Sequence, residues 1–82
     1  MKILYFAKLR QLIGRSEDSI KLDNDVMISQ IIKILKNKNN TYLNAFNQTK
    51  NLKYAVNCEY VKKNFVVKNE DELAIFPPVN GG

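Results

Sequence analysis

Residues 26–37, VMISQIIKILKN, decide the fold class of this chain, because their apolar residues recur with the period of a long amphipathic helix. The N-terminal cap of this helix is ambiguous, since Asp25 could cap it or Met27 could hold the cap position with Gln30 three residues later. A single amphipathic helix can cover only one face of a sheet, which predicts an α+β domain. The apolar stripe and the polar stripe opposite it consist of Ile28, Ile31, Ile32 and Leu35, and of Ser29, Lys33 and Lys36.

Two segments before the helix are predicted to form the first two strands. Residues 2–7 (KILYFA) are apolar on both faces, so this strand is either central in a sheet or in contact with a partner. A helical turn is predicted over residues 8–13, and Gly14 can end it as a C-cap. A second strand over about residues 16–22 and a turn over residues 23–25 then lead into the helix.

Further short strands are predicted after the helix, at residues 54–57, 60–61, 65–67 and 72–76. The last strand, ELAIF, is stopped by Pro77 and Pro78, because proline lacks the N–H donor that a strand ladder needs. Residues 41–47 are expected to form a short further turn. Its inward-facing side chains would be Tyr42, Leu43 and Phe46.

These elements together predict a β-grasp, or ubiquitin-like, fold. If the first two strands form a hairpin and the helix crosses over, the last strand is free to pair parallel to the first. We therefore expect one α+β domain over residues 1–82, with a mixed sheet of about four to five strands, one main amphipathic helix and a flexible C-terminal diglycine tail. Residues 76–82 are expected to act as an extended functional tail.

The composition argues against several classes of function. Thirteen Lys and Arg against eight Asp and Glu give a net charge of +5, but eleven of the basic residues are scattered lysines, so we expect no dedicated nucleic-acid function. The chain has no His and one Cys, Cys58, which argues against a zinc site and an intramolecular disulfide. Cys58 is expected to be a small buried hydrophobe. The N-terminus resembles neither a signal peptide nor a membrane span, so we expect a cytoplasmic protein that does not act at a membrane.

Residues 76–82, FPPVNGG, concentrate both prolines and two of the three glycines. Pro77 and Pro78 would direct this segment away from the sheet, and Gly81 and Gly82 would leave no side chain beside the carboxylate. So thin a backbone could enter a narrow channel and present its carboxylate to ATP on another enzyme. Because a free carboxylate is a poor electrophile, it would first form an acyl-adenylate, which a sulfur nucleophile could convert to a thiocarboxylate. The alternative is a frayed end without a function.

Three motifs make the sequence resemble the small subunit of molybdopterin synthase. The ending DELAIFPPVNGG (residues 71–82) is similar to that of the family, and YFAKLRQLIG (residues 5–14) is similar to its opening. Residues 55–57 (AVN) match a tripeptide of the same family. One turn departs from the pattern, since the family usually has Asp-Gly-Asp where this chain has NED at residues 69–71. Asn69 is expected to adopt the left-handed backbone that glycine would supply.

The resemblance implies a ubiquitin-like fold, a reaction cycle and a set of partners. Gly82, next to Gly81, would be adenylated by an enzyme of the ubiquitin-activating type that uses ATP, and a sulfur donor would convert it to a thiocarboxylate. The large subunit of molybdopterin synthase, in a heterotetramer with two copies of each subunit, would hold the active-site pocket. There the sulfur would pass to cyclic pyranopterin monophosphate, which forms the molybdopterin dithiolene in molybdenum cofactor biosynthesis. This chain would be a non-catalytic sulfur donor without a permanently bound cofactor or metal.

Residues outside the two glycines are also expected to contact partners. Phe6 and Phe76 are one residue out of phase with the residues that would face the helix, so their rings should lie together on the open face of neighbouring parallel strands. Arg10 matches an Arg of the family's opening and could pair with a partner carboxylate. The other expected contacts lie in the tail, at Pro77, Pro78, Val79 and Asn80.

Three other functions remain open at this stage. A sulfur carrier for thiamine or for tRNA thiolation also ends in Gly-Gly, although such carriers tend to lack the Phe-Pro-Pro stem. A ubiquitin-like protein modifier would be joined through Gly82 to a lysine of its target. A plain interaction module would tolerate the deletion of Gly82.

Overall fold

A mixed five-stranded sheet and three helices form the framework of the computed structural model, which describes residues 1–78. None of the helices within those residues is long and apolar enough to cross a membrane. In chain order the elements are β1 (Lys2–Tyr5), α1 (Ala7–Ile13), β2 (Glu17–Ser19), β3 (Val26–Met27), α2 (Ile28–Lys36), α3 (Asn40–Gln48), β4 (Lys53–Val56), β5 (Glu59–Val61), β6 (Val66–Val67) and β7 (Glu72–Phe76).

The first and last strands are neighbours at the centre of the sheet, whose order is β2-β1-β7-β4-β5. Strand β1 pairs antiparallel with β2 and parallel with β7, with Tyr5 opposite Ile75. Strand β7 pairs antiparallel with β4 on its other side. The predicted parallel pairing of the first and last strands is therefore confirmed, and the fold is the predicted β-grasp.

A second, two-stranded ladder joins β3 to β6 at the start of helix α2. The sequence pattern includes Val26 and Met27 in the helix, but the helix begins only at Ile28. Met27 holds the N-cap position, and its backbone N–H donates a hydrogen bond of 2.9 Å to Oε1 of Gln30. This contact favours Met27 over Asp25 as the residue at the cap position.

The hydrophobic core lies between the helices and one face of the sheet. Ile3 and Tyr5 of β1 point into it, as do Leu73 and Ile75 of β7, and none of the four is more than 1% exposed. Burying one such aliphatic side chain contributes roughly 1.5–3 kcal/mol to stability. The other buried apolar residues are Leu9, Ile13, Ile28, Ile31, Leu35, Tyr42, Ala45, Phe46, Val56 and Val67.

Helix α3 is longer than the short turn that was predicted over residues 41–47. The Oδ1 atom of Asn39 accepts a hydrogen bond of 3.1 Å from the N–H of Tyr42 and so caps the helix. Tyr42 and Phe46 face inward as predicted, but the prediction for Leu43 was wrong, because its side chain is 37% exposed. Asparagine is a poor helix former, so this helix depends on the packing of its buried side more than on its own propensity.

Asp18 of β2 is a buried carboxylate that the sequence pattern does not reveal. Its Oδ2 atom accepts hydrogen bonds from the hydroxyls of Tyr5 at 2.8 Å and Tyr42 at 2.6 Å. Its Oδ1 atom lies 3.2 Å from Nε of Arg15 and 3.7 Å from Nζ of Lys38. Burial alone would raise the pKa of Asp18, but the two hydroxyls and the two cations outweigh it, so the pKa lies below its ordinary value. Burial, and after it the hydrogen bond that each hydroxyl donates to Asp18, raises the pKa of Tyr5 and of Tyr42.

The turn before β7 is built differently from the prediction for Asn69. The non-glycine residues with positive φ within residues 1–78 are Ala7, Asn51, Asn57 and Cys58, so Asn69 is not left-handed. Its Oδ1 atom instead accepts a hydrogen bond of 2.8 Å from the N–H of Leu22. Asp71 closes the turn, because its backbone N–H donates to the carbonyl of Lys68 and its carboxylate accepts from the N–H of Lys68. This chain therefore makes the turn over residues 69–71 without a left-handed residue, in the place where the family usually has Asp-Gly-Asp.

Candidate functional site

The rings of Phe6 and Phe76 lie together where β1 and β7 end. Tyr5 and Ile75 are opposite each other in the parallel ladder and are both buried, so the next residue of each chain segment points to the opposite, open face of the sheet. The two rings meet edge to face, with their centroids 6.5 Å apart and their planes at 83°. Phe6 is 43% exposed. The predicted juxtaposition of the two rings is therefore confirmed, although Phe6 follows β1 rather than belonging to it.

Tyr60 adds a third aromatic ring that sequence reasoning missed. It lies on β5 opposite Ala55, which in turn lies opposite Ala74 of β7, so all three share the open face. The Tyr60 ring is 5.8 Å from that of Phe76, and the residue is 81% exposed. The missing information was the register between β4 and β5, which decides the face on which Tyr60 lies.

The three rings border a shallow apolar groove of about 470 Å³ on the open face, which we call the aromatic patch. Ala55 and Ala74 form its floor, where their short side chains leave room between the rings. An exposed apolar surface of this kind is typical of a protein-binding site. The patch is lined by Phe6, Ala7, Ala55, Cys58, Tyr60, Ala74, Phe76 and Pro77.

The tail leaves the sheet beside the aromatic patch. Strand β7 ends at Phe76, and the half-buried Pro77 that follows lines the patch. Pro78 is exposed and borders a neighbouring hollow together with Lys53 and Tyr60. The other predicted tail residues, Val79, Asn80, Gly81 and Gly82, lie outside the described residues.

Cys58 is exposed, so the prediction of a buried side chain was wrong. Val56 and Glu59 are paired across β4 and β5, which leaves Asn57 and Cys58 as a two-residue hairpin loop. Their φ angles are 50° and 72°, as a type I′ turn requires. A side chain at the tip of such a turn points away from the core, and that of Cys58 lines the aromatic patch.

Asn57 fixes this hairpin to the start of the last strand. Its Nδ2 atom donates to Oδ1 of Asp71 at 2.9 Å, and its Oδ1 atom accepts from the N–H of Glu72 at 3.0 Å. The N–H of Lys68 and then the amide of Asn57 hold the pKa of Asp71 below its ordinary value. The conformation of Asn57 therefore positions β5, and with it Tyr60, against the rest of the sheet. This gives a structural reason for the third residue of the AVN tripeptide.

Arg10 lies in the last turn of α1 and is exposed. Its backbone N–H donates to the carbonyl of Phe6, so it lies one helical turn beyond the aromatic patch. Among residues 1–78 its guanidinium has no ion-pair partner. The structure therefore places Arg10 one helical turn from Phe6 and outside the described residues that line the aromatic patch.

The comparison with known families covers nearly the whole chain. A family model described as the ThiS family matches residues 3–82. The molybdopterin synthase sulfur carrier subunit of Haemophilus influenzae is 36% identical to this chain over 83 residues, which cover 100% of this chain and 99% of the relative. The protein of the same name from Dictyostelium discoideum is 35% identical, over 99% of this chain and 94% of its own length.

A solved structure agrees with these sequence matches. It is a protein of Pyrococcus furiosus provisionally called molybdopterin converting factor, subunit 1, with a TM-score of 0.77 and 29% identity, and the match covers 95% of each chain. The motifs quoted from the sequence, the β-grasp topology and the full-length matches all agree. The chain therefore belongs to the ThiS family.

Proposed function

We propose that this chain is the sulfur carrier subunit of a molybdopterin synthase and that it carries sulfur as a thiocarboxylate on Gly82. The observation that carries the proposal is the position of the aromatic patch, directly beside the point where the FPPVNGG segment leaves β7. A partner that binds this patch also receives the segment that ends in Gly81 and Gly82. The names of the full-length relatives support the same function.

The chemistry begins with activation of the Gly82 carboxylate by an adenylating enzyme of the ubiquitin-activating type. A carboxylate oxygen attacks the α-phosphorus of ATP, pyrophosphate leaves, and an acyl-adenylate forms. A persulfide of the sulfur donor then attacks the carbonyl carbon and AMP leaves. A second thiol cleaves the resulting acyl disulfide, which leaves the sulfur on Gly82 as a thiocarboxylate.

The charged carrier then delivers its sulfur within the large subunit, which holds the acceptor. In this proposal the sulfur of Gly82 attacks a carbon of cyclic pyranopterin monophosphate and displaces an oxygen substituent from that carbon. Water then cleaves the acyl carbon–sulfur bond, which leaves the sulfur on the acceptor and returns the Gly82 carboxylate. Two rounds supply the two sulfurs of the dithiolene. The carrier itself supplies no acid or base to this reaction, so its contribution is binding and delivery.

The described residues contribute the docking surface for both partners. Phe6, Tyr60 and Phe76 provide rigid aromatic area, which is enriched among the residues that dominate binding energies at interfaces. Pro77 and Pro78 direct the tail, while Val79 and Asn80 are proposed to lie against the channel of the partner. Arg10 is proposed to pair with a carboxylate at the edge of the interface, where an exposed ion pair is worth only about 0–1 kcal/mol.

Intact-mass spectrometry tests the proposal. After incubation with ATP, an adenylating enzyme and a persulfide source, the chain should gain the mass difference between sulfur and oxygen, and the gain should map to Gly82. The Cys58→Ala variant is the control, because a persulfide on the exposed Cys58 would add a whole sulfur atom instead. A gain that disappears in Cys58→Ala, or a Gly82 that is linked to lysines of other proteins, would contradict the proposal.

A second assay separates the carrier pathways. The thiocarboxylate form, mixed with the large subunit and cyclic pyranopterin monophosphate, should produce molybdopterin and return to its original mass. A form that is discharged only by thiamine-thiazole or tRNA-thiolating enzymes would assign the chain to one of those pathways instead.

A further inference from the structure

The positive charge of this chain is concentrated in one part of it. Between residues 26 and 69 the sequence has eight lysines and a single acidic residue, Glu59. Four of the eight acidic residues lie before this segment, and Glu70, Asp71 and Glu72 follow it. Such asymmetry produces a local positive potential that the net charge of +5 understates.

Three of these lysines lie around one groove on the helix side of the molecule, which we call the basic groove. Lys33 and Lys36 of α2 line one wall, and Lys63 of the loop between β5 and β6 lines the other. The groove has a volume of about 540 Å³. Its lining consists of Ser29, Ile32, Lys33, Lys36, Phe46, Thr49, Asn51, Leu52, Tyr54 and Lys63, so none of the described residues that line it is acidic.

The walls of the basic groove are joined to each other by backbone hydrogen bonds. The N–H of Ser29 donates to the carbonyl of Lys63 at 2.9 Å, and the N–H of Ile28 donates to the carbonyl of Phe65 at 3.0 Å. The hydroxyl of the buried Thr49 donates to the carbonyl of Ala45 within α3. The groove is therefore formed before any partner binds, which lowers the entropy cost of binding.

The basic groove and the aromatic patch lie on opposite sides of the sheet. Tyr54, which lines the groove, is the cross-strand partner of the buried Ile75 and therefore points to the helix side. Phe76 follows Ile75 and points to the open face. A partner on the aromatic patch therefore leaves the basic groove accessible.

We infer that the basic groove is a second docking site, and that it binds an acidic segment of a partner protein with aliphatic side chains among its carboxylates. The three lysines match carboxylates in charge, and the partly buried Ile32 and Leu52, which also line the groove, match aliphatic side chains. Nucleic acid fits less well, because the groove offers no arginine for bidentate phosphate contacts and its aromatic residues, Phe46 and Tyr54, are buried or half-buried rather than exposed for base stacking.

The test uses the full chain and a synthetic peptide in which two leucines are flanked on both sides by aspartate and glutamate. We expect amide chemical-shift changes at residues such as Ser29, Lys33 and Asn51, and none at Phe6 or Tyr60. Binding should weaken with added salt, and it should be lost when serines replace the two leucines. These measurements use the wild-type chain, so they do not depend on the folding of a variant.

Charge reversal provides the matched comparison. Lys33→Glu with Lys63→Glu should weaken peptide binding about tenfold or more, because two attractions become repulsions. Lys21→Glu with Lys68→Glu makes the same change in net charge at exposed positions outside the groove, and it should change binding by less than about twofold.

Several outcomes would overturn the inference. The first is an absence of peptide binding, and the second is a set of shift changes centred on the aromatic patch. Equal losses in the two double variants would show general charge attraction rather than a site. Tighter binding of a single-stranded oligonucleotide to the same groove would assign it to nucleic acid. None of these outcomes involves Gly82, so each is independent of the sulfur-carrier proposal.

Discussion

Phe6 and Phe76 meet edge to face across the parallel pair of strands β1 and β7, at the point where the tail begins. The contact joins the start of the chain to its end, so the sheet register that builds the core also builds the exposed surface. Both rings belong to the aromatic patch, the surface that we propose binds the partner that receives the tail.

Phe6→Ala should weaken binding to the large subunit by about 1–3 kcal/mol, as expected for an aromatic residue at the centre of an interface. Phe65→Ala is a closely matched control, because Phe65 is 42% exposed and Phe6 is 43% exposed, but Phe65 does not line the aromatic patch. Isothermal titration calorimetry compares the two. Equal effects would mean that the patch is not the interface.

Deletion of Gly82 should leave the fold intact and abolish formation of the thiocarboxylate. Within residues 1–78 the buried core extends no further along the chain than Ile75, so we expect thermal unfolding to be unchanged. The shortened tail would end about 3.3–3.6 Å earlier, which is enough to withdraw the carboxylate from the α-phosphate in the activating enzyme. Mass spectrometry after the charging reaction measures the result, and a truncated chain that still gains sulfur would contradict the prediction.

The sequence was sufficient to predict the part of this site that depends on local periodicity. Side chains alternate between the two faces of a strand, and this alternation along residues 2–7 and 72–76 places Phe6 and Phe76 on the same face. The position of Gly14 likewise predicted the end of α1, where Gly14 has a φ of 85°. Tyr60 could not be placed in this way, because its face depends on a two-residue turn made by Asn57 and Cys58. Asn-Gly would have been a clear turn signal, whereas Asn-Cys is not.

Long-range contacts account for the other differences. Asp18 lies in a polar stretch, and nothing near it in the sequence shows that Tyr5 and Tyr42 bring their hydroxyls to it. The full length of helix α3 was not predicted, because its asparagines lower the local helix propensity. The helix is stabilised instead by packing against the core. In both cases the deciding energy comes from residues distant in sequence.

Asn57→Ala should destabilise the fold more than Asn57→Gly. Both variants lose the two hydrogen bonds to Asp71 and Glu72, which together contribute about 1–3 kcal/mol. Alanine also has to adopt a φ of 50°, which costs about a further 1 kcal/mol, whereas glycine adopts it freely. Urea unfolding measures both variants, and an alanine variant as stable as the glycine variant would refute the strain argument.

Stability should fall when the pH drops below about 4, because of Asp18. Its pKa is lower in the folded chain than in the unfolded chain, so its contribution is complete above the unfolded value of about 3.8 and is lost as the pH falls through the folded value. Asp18→Asn should cost about 1–3 kcal/mol near neutral pH, because the buried hydroxyls of Tyr5 and Tyr42 lose a charged acceptor, whereas the exposed Arg15 and Lys38 can be hydrated instead. The free energy of unfolding of the Asp18→Asn variant should also change much less than that of the wild type as the pH falls below about 4.

The same cluster predicts a loss of stability at alkaline pH. The pKa values of Tyr5 and Tyr42 are raised in the folded chain, by burial first and by their hydrogen bonds to Asp18 second. Both tyrosines keep their protons in the folded state when the unfolded chain begins to ionise near pH 10, so the unfolded state is favoured above that pH. Tyr42→Phe should remove part of this alkaline loss. Urea-unfolding midpoints across the pH range measure both effects, and a Tyr42→Phe curve parallel to that of the wild type above pH 10 would show that this hydroxyl does not couple folding to pH.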